Sequence, residues 1–260
     1  MSCSPPLKPF ATFTGDDRIL VTGASSGIGA AIALQLNALG ATVIANGRSA
    51  EKLDAVKTLA ERPEAFHLEA RDLVSEMEGL SLWVKGLRKK YGILTGLAHA
   101  AGRTITASFM EYESAQLHEL FNIDFYAPFM LSKAILDRRN SASGASLVFI
   151  AAAAAIAPNK GLIAYGAAKA ALVCAARGMS KEFAARRIRV NCISPGLTRT
   201  PMLEETVSLL GDDFLKQEES LYPLGFGESG DVADLTTFLL SPAARWITGQ
   251  NYVIDGGRLA

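Results

Sequence analysis

A single α/β domain, with a parallel sheet covered by helices on both faces, is the fold this sequence predicts. Three observations predict it. Short β-prone runs alternate with longer alanine- and leucine-rich segments of helical period, a glycine-rich turn joins the first run to the first such segment, and no linker or shift of composition divides the 260 residues. Hydrophobic residues make up 49% of the chain and charged residues 20%, enough apolar material for a full core. Lysine plus arginine equals aspartate plus glutamate at 26 each, so no overall field draws the chain to nucleic acid or an anionic membrane, and small molecules are the expected partners.

Residues 1–10, MSCSPPLKPF, carry two adjacent prolines and lack the apolar stretch of a signal peptide; residues 1–15 are expected to form a flexible leader ahead of a domain over 16–260. RILVT is the first strand and GIGAAIALQLNAL the first helix. ATVIAN and SAEKLDAVKTLAE repeat the pair, and AFHLEA, GLAHAAG, ASLVFIA, IRVNCIS and NYVIDGG carry the alternation on. Proline, glycine and an acidic cluster interrupt it over residues 200–230, where a loop with a short helix is expected. The longest uncharged apolar run, 147–158, is well short of the roughly 20 residues that cross a bilayer. Cys3, Cys174 and Cys192 are odd in number and far apart, which fits a reducing, cytoplasmic compartment better than a disulfide framework. His67, His99 and His118 belong to different elements and lack zinc spacing, so no metal is expected.

TGASSGIG, residues 22–29, follows the first strand and opens the first helix. Glycines there let the backbone approach a pyrophosphate, and the free N–H groups and dipole of the helix start hold its charge. In isolation the motif is also what a tight turn with close helix packing needs; its position between strand and helix points to a nucleotide.

Further motifs follow in order: Asp72-Leu73 after the third strand, His99-Ala100-Ala101-Gly102 after the fourth, Asn122, then Tyr165 and Lys169, and Ser194-Pro195-Gly196 after the sixth. With the TGxxxGxG spacing, this set resembles the short-chain dehydrogenase/reductase family from about residue 18 to residue 257. The resemblance implies a Rossmann-like doubly wound sheet and an NAD(P)-dependent oxidoreductase interconverting a ketone or aldehyde and an alcohol, with broad likeness to reductases of 3-oxoacyl groups. It places the cofactor on Thr22, Gly23, Ser25, Ser26, Gly27, Ile28 and Gly29, with Asp72 at the adenine amino group and Leu73 by the ring. Asp72 equally suits a cap on a helix beginning near Ser75. Ala100, Ala101 and Gly102 offer close backbone approach, and Ile193, Pro195, Gly196, Thr198 and Thr200 flank the nicotinamide and pyrophosphate. His99, where the family has asparagine, is expected to be a packed or hydrogen-bonded histidine. Residues 202–225, with Leu203, Val207, Leu221 and Tyr222 among them, would cover the substrate as a lid. The family also implies a homodimer or homotetramer, which the small residues of the helix carrying Tyr165 would permit.

The second strand ends in Ala45-Asn46-Gly47-Arg48, without the carboxylate that binds the ribose hydroxyls of NAD. Arg48 can meet a 2′-phosphate with a planar fork of donors, so NADP is the expected cofactor, although Ser25 and Ser26 put no second basic residue in the turn.

Tyr165 and Lys169, four apart on one helix, share a face. A neighbouring ammonium stabilises a phenolate, so the lysine is expected to lower the tyrosine's pKa and fit it for acid–base work. The resemblance gives Lys169 a second role on the nicotinamide ribose and Asn122 a part in a water relay. It also expects a serine thirteen residues before Tyr165, where this chain has Ala152, flanked by Ala151, Ala153, Ala154 and Ala155. Asn159 is the next polar group on that segment. Loss of function, rewiring and an introduced alanine are all compatible with Ala152. Two readings therefore stand: an NADP-dependent reductase of reduced activity, or an NADP-binding protein that has lost catalysis and acts as a sensor or interaction partner.

Overall fold

The computed structural model describes residues 12–260. Seven parallel strands form one sheet in the order β3-β2-β1-β4-β5-β6-β9, and a short parallel pair, β7 and β8, lies apart from it. The strands are β1 (Arg18–Thr22), β2 (Thr42–Gly47), β3 (Phe66–Ala70), β4 (Leu94–His99), β5 (Ser141–Ile150), β6 (Arg189–Pro195), β7 (Thr198–Arg199), β8 (Gly227–Glu228) and β9 (Asn251–Ile254). Helices α1 (Gly27–Ala38), α2 (Ala50–Lys57) and α9 (Ser229–Leu240) belong to one side of the sheet. On the other lie α3 (Leu80–Tyr91), α5 (Ala127–Leu136) and α6 (Ile163–Glu182), and α4 (Ser114–Phe121) runs into α5 through a π turn, Asn122–Tyr126. The doubly wound architecture predicted above is therefore what the chain adopts.

Alternation along each strand divides the core in two. Ile19, Val21, Val43, Ala45, Val148 and Ile150 face α1 and α9, whereas Leu20, Ile44, Leu147 and Phe149 face α3, α5 and α6. Both faces are dry, so the strands need apolar residues at successive positions, and that is why they read as continuous hydrophobic runs. Arg189, at the start of β6, is buried because its guanidinium donates to the carbonyls of Leu239, Leu240 and Ser241 and so satisfies the end of α9.

Three expectations need correction here. Residues 1–11 of the expected leader lie outside the described residues, but the leader does not extend to residue 15: Phe13 is buried in the α1 side of the core, and its N–H donates to the Leu39 carbonyl at 3.1 Å. Residues 200–230 are also more helical than the expected loop. Thr200 accepts the Leu203 N–H and Pro201 sets the first helical residue of α7 (Pro201–Leu210); Gly211, at φ 86°, ends it, and α8 (Asp212–Glu219) follows. Likewise, no α-helix begins near Ser75. The Asp72 carboxylate accepts the N–H groups of Val74 and Ser75, at 2.8 and 3.2 Å, in a turn, and α3 begins only at Leu80.

Candidate active site

The carboxyl ends of β1, β4, β5 and β6 align at the point where the strand order reverses, which is where open α/β sheets bind ligands. Here the glycine turn leaves β1. A Cβ at Gly23 would lie 2.7 Å from the Ala101 nitrogen, and one at Gly29 would run into the Gly23 carbonyl oxygen, so these backbones approach as only glycine allows. At the start of α1 the Ser26 side chain makes no cap hydrogen bond and the first turn holds no acid. The open N–H groups suit an anion, and the residues present fit a dinucleotide's pyrophosphate.

Ser25 packs against Gly47 at the end of β2, and Arg48 follows it, exposed and without an ion-pair partner among the described residues. Asn46 is otherwise engaged: its amide donates to the Glu69 and Arg71 carbonyls. The side chains of Leu73 and Ile193 are buried in the core, so any cofactor contact from these positions falls to their backbone.

His99 is fully buried, with Nδ1 2.8 Å from the Thr22 hydroxyl, and that hydroxyl also accepts the Ala101 N–H. The ring braces the cradle, in keeping with a packed histidine. Burial, with the charge of Lys169 second, pulls the imidazole from 6.5 down to about 3. The folded protein thus keeps His99 neutral where the unfolded chain takes up a proton. Its contribution to stability is complete above pH 6.5 and is lost as pH falls towards 3, at up to about 1.4 kcal/mol per pH unit. Denaturant melts between pH 7 and 4 are expected to show a shallower pH slope for His99→Asn than for the parent; equal slopes would remove this assignment.

A cavity of about 480 Å³ adjoins the cradle. Ile28, Ala100, Gly102, Pro195, Gly196, Thr198 and Thr200 line it on the cofactor side; Ala152, Ala153, Ala154, Leu162, Leu197, Met202 and Leu203 make an apolar wall. From the segment 202–225 expected as a lid, Met202, Leu203, Thr206, Glu218 and Tyr222 line the cavity. Tyr222 anchors this segment by accepting the Leu197 N–H at 3.1 Å and packing edge-on against Phe226.

Tyr165 and Lys169 both line the cavity, one turn apart near the start of α6. The Lys169 ammonium lies 5.7 Å from the centre of the Tyr165 ring and donates to the Ile150 carbonyl at 3.0 Å. No protein group among the described residues hydrogen-bonds the Tyr165 hydroxyl. Asn122 is not among the residues that line the cavity. It opens the π turn, and the residue that reaches Lys169 is Asp124, fully buried, with Oδ1 3.0 Å from Nζ. The lysine does act to lower the Tyr165 pKa as the spacing predicts, but burial and the Asp124 charge outweigh it and the phenol lies above its usual value. Lys169 is held above its usual value despite its burial, chiefly by Asp124.

Several polar groups of the cavity lie outside the motifs above: the Thr104 hydroxyl, buried without a hydrogen-bond partner among the described residues, and Thr106, Lys160, Thr206, Glu218 and Arg258. Ala152 itself is buried and extended (φ −164°), with its side chain on the cavity wall and no hydroxyl among its neighbours 151–155.

Among the described residues no helix is long and apolar enough to cross a membrane, and no cluster of side chains could hold a metal ion. Residues 23–258 match the family model described as enoyl-(acyl carrier protein) reductase. The chain is 32% identical to the 3-oxoacyl-(acyl-carrier-protein) reductase FabG of Thermotoga maritima, over 92% of this chain and 96% of that protein. It is 31% identical to the human dehydrogenase/reductase SDR family member 4, over 92% and 86%. Among solved structures, a short-chain dehydrogenase/reductase of Brucella melitensis titled glucose/ribitol dehydrogenase superposes with a TM-score of 0.88 at 30% identity, covering 96% of this chain and 99% of the other.

Proposed function

The chain belongs to the short-chain dehydrogenase/reductase family, whose members here are oxidoreductases acting on a CH–OH/C=O group with a nicotinamide cofactor, and we propose that it is an NADP-dependent reductase of an apolar ketone or aldehyde, slowed by Ala152. The observation that carries this reading is that Tyr165 and Lys169 line a largely apolar cavity adjoining the dinucleotide cradle. When bound, the nicotinamide supplies the hydride. Tyr165 gives a proton to the substrate oxygen, and Lys169 sets the electrostatic environment of the phenol and would hold the ribose. The alanine wall and the α7–α8 cover exclude water, which strengthens each remaining polar contact. Adenine contact by Asp72 and a water relay through Asn122 belong to the same proposal. A 3-oxoacyl thioester is the first substrate to try, since that is the group named for several relatives.

Arg48, exposed and without an ion-pair partner among the described residues, supports NADP over NAD. Replacing it by glutamine is expected to weaken NADPH binding about tenfold or more while leaving NADH binding unchanged, the scale of a lost hydrogen bond to a charged group. Fluorescence titration with each cofactor measures both. We further place the protein in the cytoplasm and as a homodimer or homotetramer, for which Tyr126 and Phe129, exposed next to α6, offer apolar surface.

The test of function is cofactor consumption across a panel of carbonyl compounds, with Tyr165→Phe as the control. Turnover that vanishes in the variant supports the reductase. NADPH binding with no turnover by the parent on any substrate would favour the second reading, a cofactor-binding protein that has lost catalysis, which Ala152 motivates.

A further inference from the structure

Among the described residues, Asp124 has no counter-charge but Lys169. Its Oδ1 meets the ammonium at 3.0 Å and accepts the Arg103 N–H at 3.3 Å, while Oδ2, also buried, has no hydrogen-bond partner. The pair sits against bare backbone: a Cβ at Gly102 would stand 2.7 Å from Oδ1 and 3.0 Å from Nζ. The π turn aims the carboxylate inward, an irregularity that is common at functional sites and that a regular helix through α4 and α5 would not reproduce. Lys169 is thus tied on two sides, by Asp124 and by the Ile150 carbonyl, while Tyr165 lies on a third.

We propose that Asp124 is a positioning residue that pins Lys169 and offsets its charge beside Tyr165, so that the site is built to donate a proton rather than to take one up. This rests on the reductase reading. In reduction the phenol O–H breaks and its proton passes to the substrate oxygen that becomes the alcohol; oxidation needs the phenolate to take that proton back. Keeping the phenol protonated holds reduction active at alkaline pH and delays the onset of oxidation. The other ionisable groups around the pair do not replace Asp124. His99, from β4, is neutral; Cys192, from β6, is a buried thiol pushed up to about 12. The Arg103 side chain pairs with Glu119 of α4, and His118 lies on that same helix. Lys160, Glu218 and Arg258 line the same cavity.

The experiment is an ultraviolet tyrosinate titration of the cofactor-free protein, in which subtraction of Tyr165→Phe isolates one of the six tyrosines. Tyr165 is expected to ionise above the usual pH 10 in the parent and at least about one unit lower in Asp124→Asn. The alkaline limb of the reductive kcat/KM profile should move down by the same interval, whereas a merely structural role would lower the rate without moving that limb. A parent midpoint below 10, or an unmoved midpoint in the variant, overturns the proposal; if Asp124→Asn fails to fold, the same shift is read in Asp124→Ser, which also removes the charge. Because the titration requires no turnover, a shifted midpoint in a protein inert to every carbonyl would sink the reductase reading and leave the role of Asp124 standing.

Discussion

Ala152→Ser is expected to raise kcat/KM on the protein's carbonyl substrate by about 10² to 10³, the scale of one oxyanion-binding donor, roughly 3 to 4 kcal/mol. NADPH affinity should not change. The side chain at 152 faces the cavity, and none of residues 151–155 carries a hydroxyl, so the developing negative charge on the substrate oxygen meets Tyr165 and an apolar wall. In a cavity that excludes water, a missing donor has no solvent substitute, which is why the effect is large. Extended backbone at 152 accepts serine without strain. Steady-state kinetics with NADPH, on parent and variant side by side, give the ratio. A gain of less than about threefold would mean that the oxygen already has its donor. Thr104 is then the group to examine, because its buried hydroxyl at the cavity is unpartnered, and Thr104→Val should cost the parent what Ala152→Ser failed to add.

Where local patterns carried the information, the sequence was readable. Thr22 to Gly29 spells a strand end, a turn only glycine can make and a helix start, and each is decided by neighbours within a few residues. Tyr165 and Lys169 meet because both lie on one long helix, so their spacing sufficed. Asp124 was not readable. In NIDFYAPF it looks like a polar residue on an otherwise apolar helix, and its aim depends on a π turn, a hydrogen-bond register that residue types do not specify. Its partner belongs to another helix. For that reason the expected fall in the Tyr165 pKa was reversed: spacing revealed the lysine, and only the fold revealed the carboxylate behind it. Phe13 and α7 escaped for a related reason. Their order comes from contacts with distant elements, Leu39 in one case and Leu197 with Tyr222 in the other, and Pro201 reads as readily as a helix breaker as a helix start.

Lys169→Met is expected to destabilise the fold by about 3 to 5 kcal/mol, more than any loss of packing from replacing an unbranched side chain by another of similar length. The cause lies in Asp124. With the ammonium gone, a fully buried carboxylate keeps only the Arg103 N–H, and its second oxygen keeps nothing. The sign of the pH dependence follows. Burial already raises the Asp124 pKa, and removal of Lys169, which lowers it, must raise it further. A carboxyl whose folded pKa is raised favours the folded state most when protonated, so the deficit of Lys169→Met relative to the parent should be smallest at acid pH and grow as pH rises through that folded value. Adding Asp124→Asn to Lys169→Met removes the unpaired charge and should recover most of the loss, with a coupling energy of about 2 to 3 kcal/mol between the two sites. Urea melts of the parent, both single variants and the double variant close this cycle at several pH values. Additive losses with no pH dependence would mean that Asp124 and Lys169 are neighbours without being a pair. Because the ammonium that pairs with Asp124 is the one that faces Tyr165, the coupling measured in folding is the same interaction that sets the charge of the acid–base site.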